Sequence, residues 1–319
     1  MDQKLAGDSP EAKVYSAIKL RLTILSILLE SALLGVWAFT SFSRELVNYI
    51  EFYYYNPYLQ FTVFISVVGG SFLLLGLLLD LYGGYYIEHA FHLSTQTFTR
   101  WCLEHAKSLA VSIVIALPLS LLFFYLVRAC GSSSYLVFAT ILFLFSVVLA
   151  RIAPVILFPL FYRFTTLPEG DVRSRLSALL DKEKISFREI YSFNMSKNTR
   201  KANAALAGMG KSRRIILSDT LLSSFTPAEI EVIFAHEVGH YRHRHILTQV
   251  IVSGCAIYLS FFLCGISYTH TIAAMGFLHE YDIAALPILV LYLSLFGLLT
   301  MPLTNLLSRH FERQADAYA

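Results

Sequence analysis

The 319 residues carry 25 Lys and Arg against 22 Asp and Glu, a net charge of +3 with histidine neutral, and 56% of them are hydrophobic. Only 15% are charged, against the roughly 25% of soluble domains, which excludes an ordinary soluble globular chain. So even a charge balance gives no footing for nucleic-acid binding, and apolar surface on this scale has to be hidden in a bilayer.

The apolar runs come first in chain order. Runs at 22–42, 61–87, 109–127 and 135–161 fill the N-terminal half, each near the ~20 residues that span a bilayer. The fourth reaches that length only if 151–161 continues it. Two more lie at 247–268 and 283–303, for about six transmembrane helices. The first run follows a polar segment and has no small-residue cleavage site, so it reads as a retained span rather than a signal peptide. Glu30, Asp80 and Arg151 lie within or near spans, where ionisable groups usually face a polar interior. Cys102, Cys130, Cys255 and Cys264 form no CxxC pair, and no disulfide framework or cysteine metal site is expected.

Basic residues set the orientation. Lys4, Lys13, Lys19 and Arg21 precede the first run, Arg100 and Lys107 lie between the second and third, and a dense set from Arg173 to Arg214 lies between the fourth and fifth. The opposite loops hold Arg44 and Arg128, and 269–282 has neither Lys nor Arg. The N-terminus, the 163–246 segment and the C-terminus are therefore expected in the cytoplasm. The chain divides into a membrane domain, 1–162, and a second domain, 163–319, that contains the last two spans.

The long polar stretch predicts mixed α and β structure. In TTLPEGDVRSRLSALLDKEK, Pro168 marks a helix start, and Val172, Leu176, Leu179 and Leu180 form an apolar stripe at helical spacing. FREIYSF alternates as a strand does. KANAAL and RIILSD read as two more strands, joined by a turn at AGMGKSR. SSFTPAEIEVIFAHEVGH begins a helix, with Thr226 as N-cap, Pro227 in the first turn and Glu229 completing a capping box. That helix leads towards the fifth span.

HEVGH, residues 236–240, carries the chemistry. Four residues apart on a helix, His236 and His240 share one face and can both reach one zinc ion. Glu237 stands beside them, able to take a proton from water activated by the metal. A catalytic zinc needs a third protein ligand and an open position. His243 lies one more turn along, but three donors stacked on one straight helix would surround a metal poorly. Glu312, in SRHFERQADAYA, is the better candidate, because two membrane crossings return it to the side of His240. Asp316, one turn beyond Glu312, can accept the second N–H of a ligand histidine and orient it. His245 points elsewhere.

With these motifs the sequence resembles the CAAX prenyl proteases of type 1, integral-membrane zinc metalloproteases, along most of its length. EHAFHLSTQTF at 88–98, IAPVILFPLFYRFTTLPEG at 152–170, NAALAGMGKSRRIILSDTLL at 203–222, HEVGHYRHRH and SRHFERQADAYA carry the resemblance. It implies an α-helical integral membrane protein with an inserted cytoplasmic α+β, zincin-like protease domain and helices enclosing a water-filled chamber. It also implies one Zn2+ per chain on His236, His240 and Glu312, Glu237 as catalytic base, and Asn203 with Ala204 binding substrate at a sheet edge. The family commonly has seven spans where six are counted here. Its chains continue with a further helical portion bearing a substrate-contacting histidine and arginine, which these residues do not include.

The expected function is thus a membrane-embedded zinc metalloendopeptidase. Its substrate is a peptide or protein, prenylated at a CAAX terminus in the family's case. The expected location is the bacterial inner membrane or endoplasmic reticulum, with the site opening to the cytoplasm. Two alternatives stand beside it: a bacterial quality-control protease for damaged membrane proteins, and an inactive zinc-binding scaffold. Loss of the HExxH glutamate would mark the scaffold, and Glu237 is retained.

Overall fold

The computed structural model describes residues 9–207 and 214–319. Lys4, Arg213 and most of the expected AGMGKSR turn lie outside the described residues. The chain forms two compact units. One comprises Met1–His92, Phe98–Ala139 and Leu259–Gly297, the other Leu93–Thr97, Thr140–Tyr258 and Leu298–Ala319.

The first unit is helical. Ser9 caps α1 (Pro10–Phe39), its hydroxyl accepting from Ala12 N at 3.1 Å. This helix stops three residues short of the expected 42, because Ser43 Oγ bonds back to the Trp37 carbonyl at 2.6 Å and the chain turns into α2 (Phe42–Tyr53). Asn56 caps α3 (Pro57–Asp80), which runs on through a π-helical turn at Leu81–Tyr86 and a last turn at Ile87–Ala90. Helices α4 (Phe98–Cys130) and α5 (Ser134–Phe161) are separated by a 3-10 turn at Gly131–Ser133, where Gly131 has a φ of 52°. As the fourth span requires, α5 does continue through Arg151. Phe61 stacks on Phe124 at 4.4 Å, with Phe64 buried beside them. Asp80 meets His105 of α4 at 2.5 Å, the polar partner that an ionisable residue near a span calls for.

Among the described residues, five stretches are long and apolar enough to cross a membrane, and the third of them, Phe98–Phe161, is α4 and α5 in series. By length and composition the candidate crossings among these residues are therefore α1, α3, α4, α5, α9 (His245–Ala274) and α10 (Leu286–Tyr318). Helix α2, with 12 residues, is only ~18 Å long and too short for a ~30 Å hydrocarbon core.

The second unit is built on a four-stranded sheet in the order β1 (Phe164–Thr166), β2 (Glu189–Phe193), β4 (Arg214–Ser218), β3 (Ala204–Ala207). The central pair β2–β4 is parallel and the outer pairs are antiparallel, so β3 is an edge strand. Strand β1 has no sequence signal of its own. KANAAL is strand only from Ala204, because Asn203 N is held by Ser218 Oγ at 2.9 Å and the Lys201 carbonyl by Thr220 Oγ1 at 2.8 Å. Nor does Pro168 start a helix. Leu167 N still bonds the Ile190 carbonyl at 2.9 Å and the Leu167 carbonyl accepts from Arg173, so the chain stays extended until α6 (Asp171–Lys182).

Short α7 (Asp219–Ser224) leads into α8 (Pro227–Arg242). Leu176 and Leu180 of the α6 stripe, Ile190, Ile215 and Leu217 of the sheet, and Ile230, Phe234 and Val238 of α8 form one buried core. Helix α8 thus lies against both α6 and β3. Ile215→Ala would remove a fully buried side chain from the centre of this core. Such a cavity costs about 2–5 kcal/mol, so the purified protein should melt at a measurably lower temperature in detergent. An unchanged midpoint would mean that the sheet is not the foundation of this unit.

Candidate metal centre

Helix α8 begins where the sequence predicts. Thr226 Oγ1 accepts from Glu229 N, and Glu229 Oε2 accepts from Thr226 N at 2.8 Å, completing the capping box. With Ile230, Phe234 and Val238 committed to the core, the helical period turns His236 and His240 to the adjacent, half-buried face. Their Nε2 atoms stand 3.1 Å apart. Glu312 Oε2 lies 3.2 Å from His236 Nε2, and Glu312 Oε1 lies 3.7 Å from His240 Nε2.

These separations fit a metal. Three donors each ~2.1 Å from one centre at tetrahedral angles stand about 3.4 Å from one another. Among the described residues, this trio is the one group of histidine, cysteine and carboxylate side chains whose donor atoms converge closely enough to hold an ion. Glu312 reaches the histidines because α10 does not stop at the expected residue 303. It continues to Tyr318 and carries ERQAD on the same rod as the last span.

His243 is excluded from the cluster by backbone geometry. Helix α8 ends at Arg242, His243 is its exposed C-cap, and Arg244 turns the chain with a φ of 55°. The ligand face therefore does not extend one turn further. Asp316 Oδ1 lies 3.0 Å from His236 Nδ1, the position from which a carboxylate orients a ligand imidazole.

Glu237 is half-buried beside the histidines. Burial raises its pKa, the nearby His236 lowers it, and the like charge of Glu312 raises it again, for a net upward shift. A carboxyl raised in this way is the better proton acceptor at neutral pH. Burial likewise pushes His240 below the ordinary histidine value, more than Glu312 pulls it up. A shift in this direction favours the neutral ring, which keeps a lone pair for a metal.

Asn203 is exposed at the head of β3, its carbonyl accepting from Ser218 N at 2.9 Å. Ala204, the first residue of the strand, is buried in the core shared with α8.

Three contributors escape sequence reasoning. His245, the first residue of α9, is buried, with its Nδ1 2.9 Å from His240 Nδ1. Gln314 Oε1 stands 2.8 Å from His245 Nε2. Gly239 sits where α8 meets the end of α10, and a Cβ there would stand 3.1 Å from both Ala315 Cα and Tyr318 Cβ. The one available signal for Gly239 is a glycine between two candidate metal-binding positions of a helix, where alanine would be the better helix former.

Comparison with known proteins places the chain in a family. A sequence model described as peptidase family M48 matches residues 166–319, and one described as CAAX prenyl protease N-terminal, five membrane helices, matches 8–163. An uncharacterized metalloprotease of Bacillus subtilis (strain 168), YhfN, is 31% identical over 311 residues, covering 96% of this chain and 73% of that protein. CAAX prenyl protease 1 of Saccharomyces cerevisiae is 28% identical over 289 residues, covering 85% of this chain and 64% of that one. The Homo sapiens homolog is 27% identical over 292 residues, covering 77% and 60%. The crystal structure of S. mikatae Ste24p matches with a TM-score of 0.78 at 26% identity, covering 95% of this chain and 76% of that chain.

The chain belongs to peptidase family M48 and is a multi-pass membrane metalloprotease of the CAAX prenyl protease type. It spans about three-fifths of the length of the yeast and human relatives. The N-terminal match covers four of the crossings and the short α2, together five helices. Neither a quality-control protease nor an inactive scaffold is favoured by these relatives.

The close approach at Gly239 yields a test. Gly239→Val has no room against the backbone of Ala315 and must push the end of α10, with Glu312, away from the histidines. Metal affinity measured by chelator competition should fall by about tenfold or more, as when ligand supports are lost. Undiminished affinity would show that Glu312 is not held by this contact.

Proposed function

We propose that this member of peptidase family M48 is a zinc endopeptidase that cuts near the C-terminus of CAAX-type proteins at the cytoplasmic face of its membrane. The observation that carries the reading is the convergence of His236, His240 and Glu312 donors on one point, with Glu237 beside them. The donor set, two imidazoles and a carboxylate, suits zinc and leaves a fourth position open. A zinc bound there would polarise the scissile carbonyl and lower the pKa of water towards ~7.

The remaining roles fall to the chain. Glu237 takes the proton of the attacking water and passes it to the leaving amine. Asp316 accepts the Nδ1–H of His236 and holds that ring. The substrate lies extended along β3, where the ladder directs the backbone groups of Asn203 and Ala205 to β4 and those of Ala204 and Leu206 outwards. Asn203 adds a side-chain amide at the head of that edge. The prenylated character of the substrate is proposed from the names of the relatives, and the cytoplasmic opening from the basic residues of the 163–246 segment.

Two measurements test the assignment. Purified protein should release the terminal tripeptide from a prenylated CAAX peptide, more slowly from the unprenylated one, and not in the presence of a zinc chelator. Equal cleavage of an unmodified membrane protein would sink the substrate class while leaving the chemistry. Glu237→Gln should keep its zinc and lose about 10²–10⁴-fold in turnover, the range for a lost general base.

Zinc content provides the second measurement. Glu312→Ala and His240→Ala should empty the site, and His243→Ala should leave it filled. Full zinc in Glu312→Ala would refute the ligand set.

A further inference from the structure

The two HEVGH histidines are braced differently. Asp316 reaches Nδ1 of His236 at 3.0 Å. Nδ1 of His240 instead faces another nitrogen, His245 Nδ1, at 2.9 Å. Two imidazole nitrogens can share a hydrogen bond only if one carries the proton and the other does not. The choice is made at the far side of His245, whose Nε2 faces Gln314 Oε1 at 2.8 Å.

An amide oxygen can only accept, so His245 places its hydrogen on Nε2. A neutral imidazole has one N–H, which makes His245 Nδ1 an acceptor and His240 Nδ1–H the donor. The lone pair of His240 is then on Nε2, the atom that stands with His236 Nε2 and Glu312. The opposite arrangement, with the amide nitrogen of Gln314 donating, reverses every bond and leaves a proton on His240 Nε2 where a metal would bind. Metal binding and the hydrogen-bond chain are compatible in one direction only.

His245 is well held for this task. It is 3% exposed, and its ring stacks on Phe311 with centroids 4.2 Å apart and planes 14° from parallel. Phe311 and Gln314 flank Glu312 on the last turns of α10, so the element that supplies the carboxylate also fixes the histidine relay.

We propose that His245 and Gln314 are positioning residues that hold His240 in its metal-binding tautomer. This rests on the reading of His236, His240 and Glu312 as a zinc site. The test is a zinc titration of the purified full chain against a chromophoric chelator, with the thermal midpoint of the zinc-free proteins recorded alongside. Gln314→Leu and His245→Phe, which remove the relay, should weaken zinc by about 10–100-fold, whereas Gln314→Glu, which keeps an acceptor oxygen, should stay within about threefold of wild type.

The zinc-free midpoints should be alike. Equal affinity in Gln314→Leu overturns the positioning role alone. So does a loss that Gln314→Glu shares and that follows a lowered midpoint, since the role is then merely structural. A wild type that binds no zinc overturns the metal site itself, and this inference with it.

Discussion

The site depends on one contact, the approach of α8 to the end of α10 at Gly239 and Ala315. Ala315 is fully buried there, and even a methyl on Gly239 would be crowded by its backbone. Around that point of closest approach, α10 distributes three polar groups. Glu312 lies one turn before and reaches both histidines, Gln314 reaches His245, and Asp316 reaches His236. A helix displaced here would lose a candidate metal donor and both side chains that contact the histidines together. The glycine costs ~1 kcal/mol of helix propensity relative to alanine, and what it permits is a close approach that a Cβ would crowd.

The same contact explains why a metal site of this kind uses two spans as part of its frame. Donors on one straight helix approach a metal from one side, and a tetrahedral ion needs one from another direction. For the candidate site that direction is provided by α10, a helix 33 residues long whose last turns carry the carboxylate. Placing ligands on rigid helices rather than loops keeps their geometry within the small tolerance that metal binding and catalysis require.

Much of this was legible in the sequence, because the relevant signals are local. Apolar runs report spans since a bilayer leaves no alternative for the backbone. The Thr226 capping box, the α6 stripe and the four-residue spacings of His236 with His240 and Glu312 with Asp316 are helix-period signals that need no tertiary knowledge. What was hidden depends on contacts between distant segments. His245 faces away from the ligand side by its spacing from His240, and only the break at His243–Arg244 swings it back behind that ring. The strand start at Ala204 is set by Ser218, and the helix start at Asp171 by the pairing of Leu167 with Ile190. Local propensity cannot see partners fourteen or more residues away.

The edge strand shows how the fold can expose a binding strand without exposing a hazard. An open edge invites pairing with any extended chain. Among the described residues β3 is four residues long, and its inner side is fully engaged by β4 and pinned at Asn203 by Ser218. Within those four residues, Ala204 and Leu206 turn their backbone groups outwards, few hydrogen bonds for a strand adding there. A peptide adding to it would need a second anchor. On the proposed reading, a zinc held beside α8 would bind the scissile carbonyl, and an attached lipid would hold the substrate's far end in the bilayer. A weak edge would then be a selective one, because it would retain chains that carry the additional anchor and release those that do not.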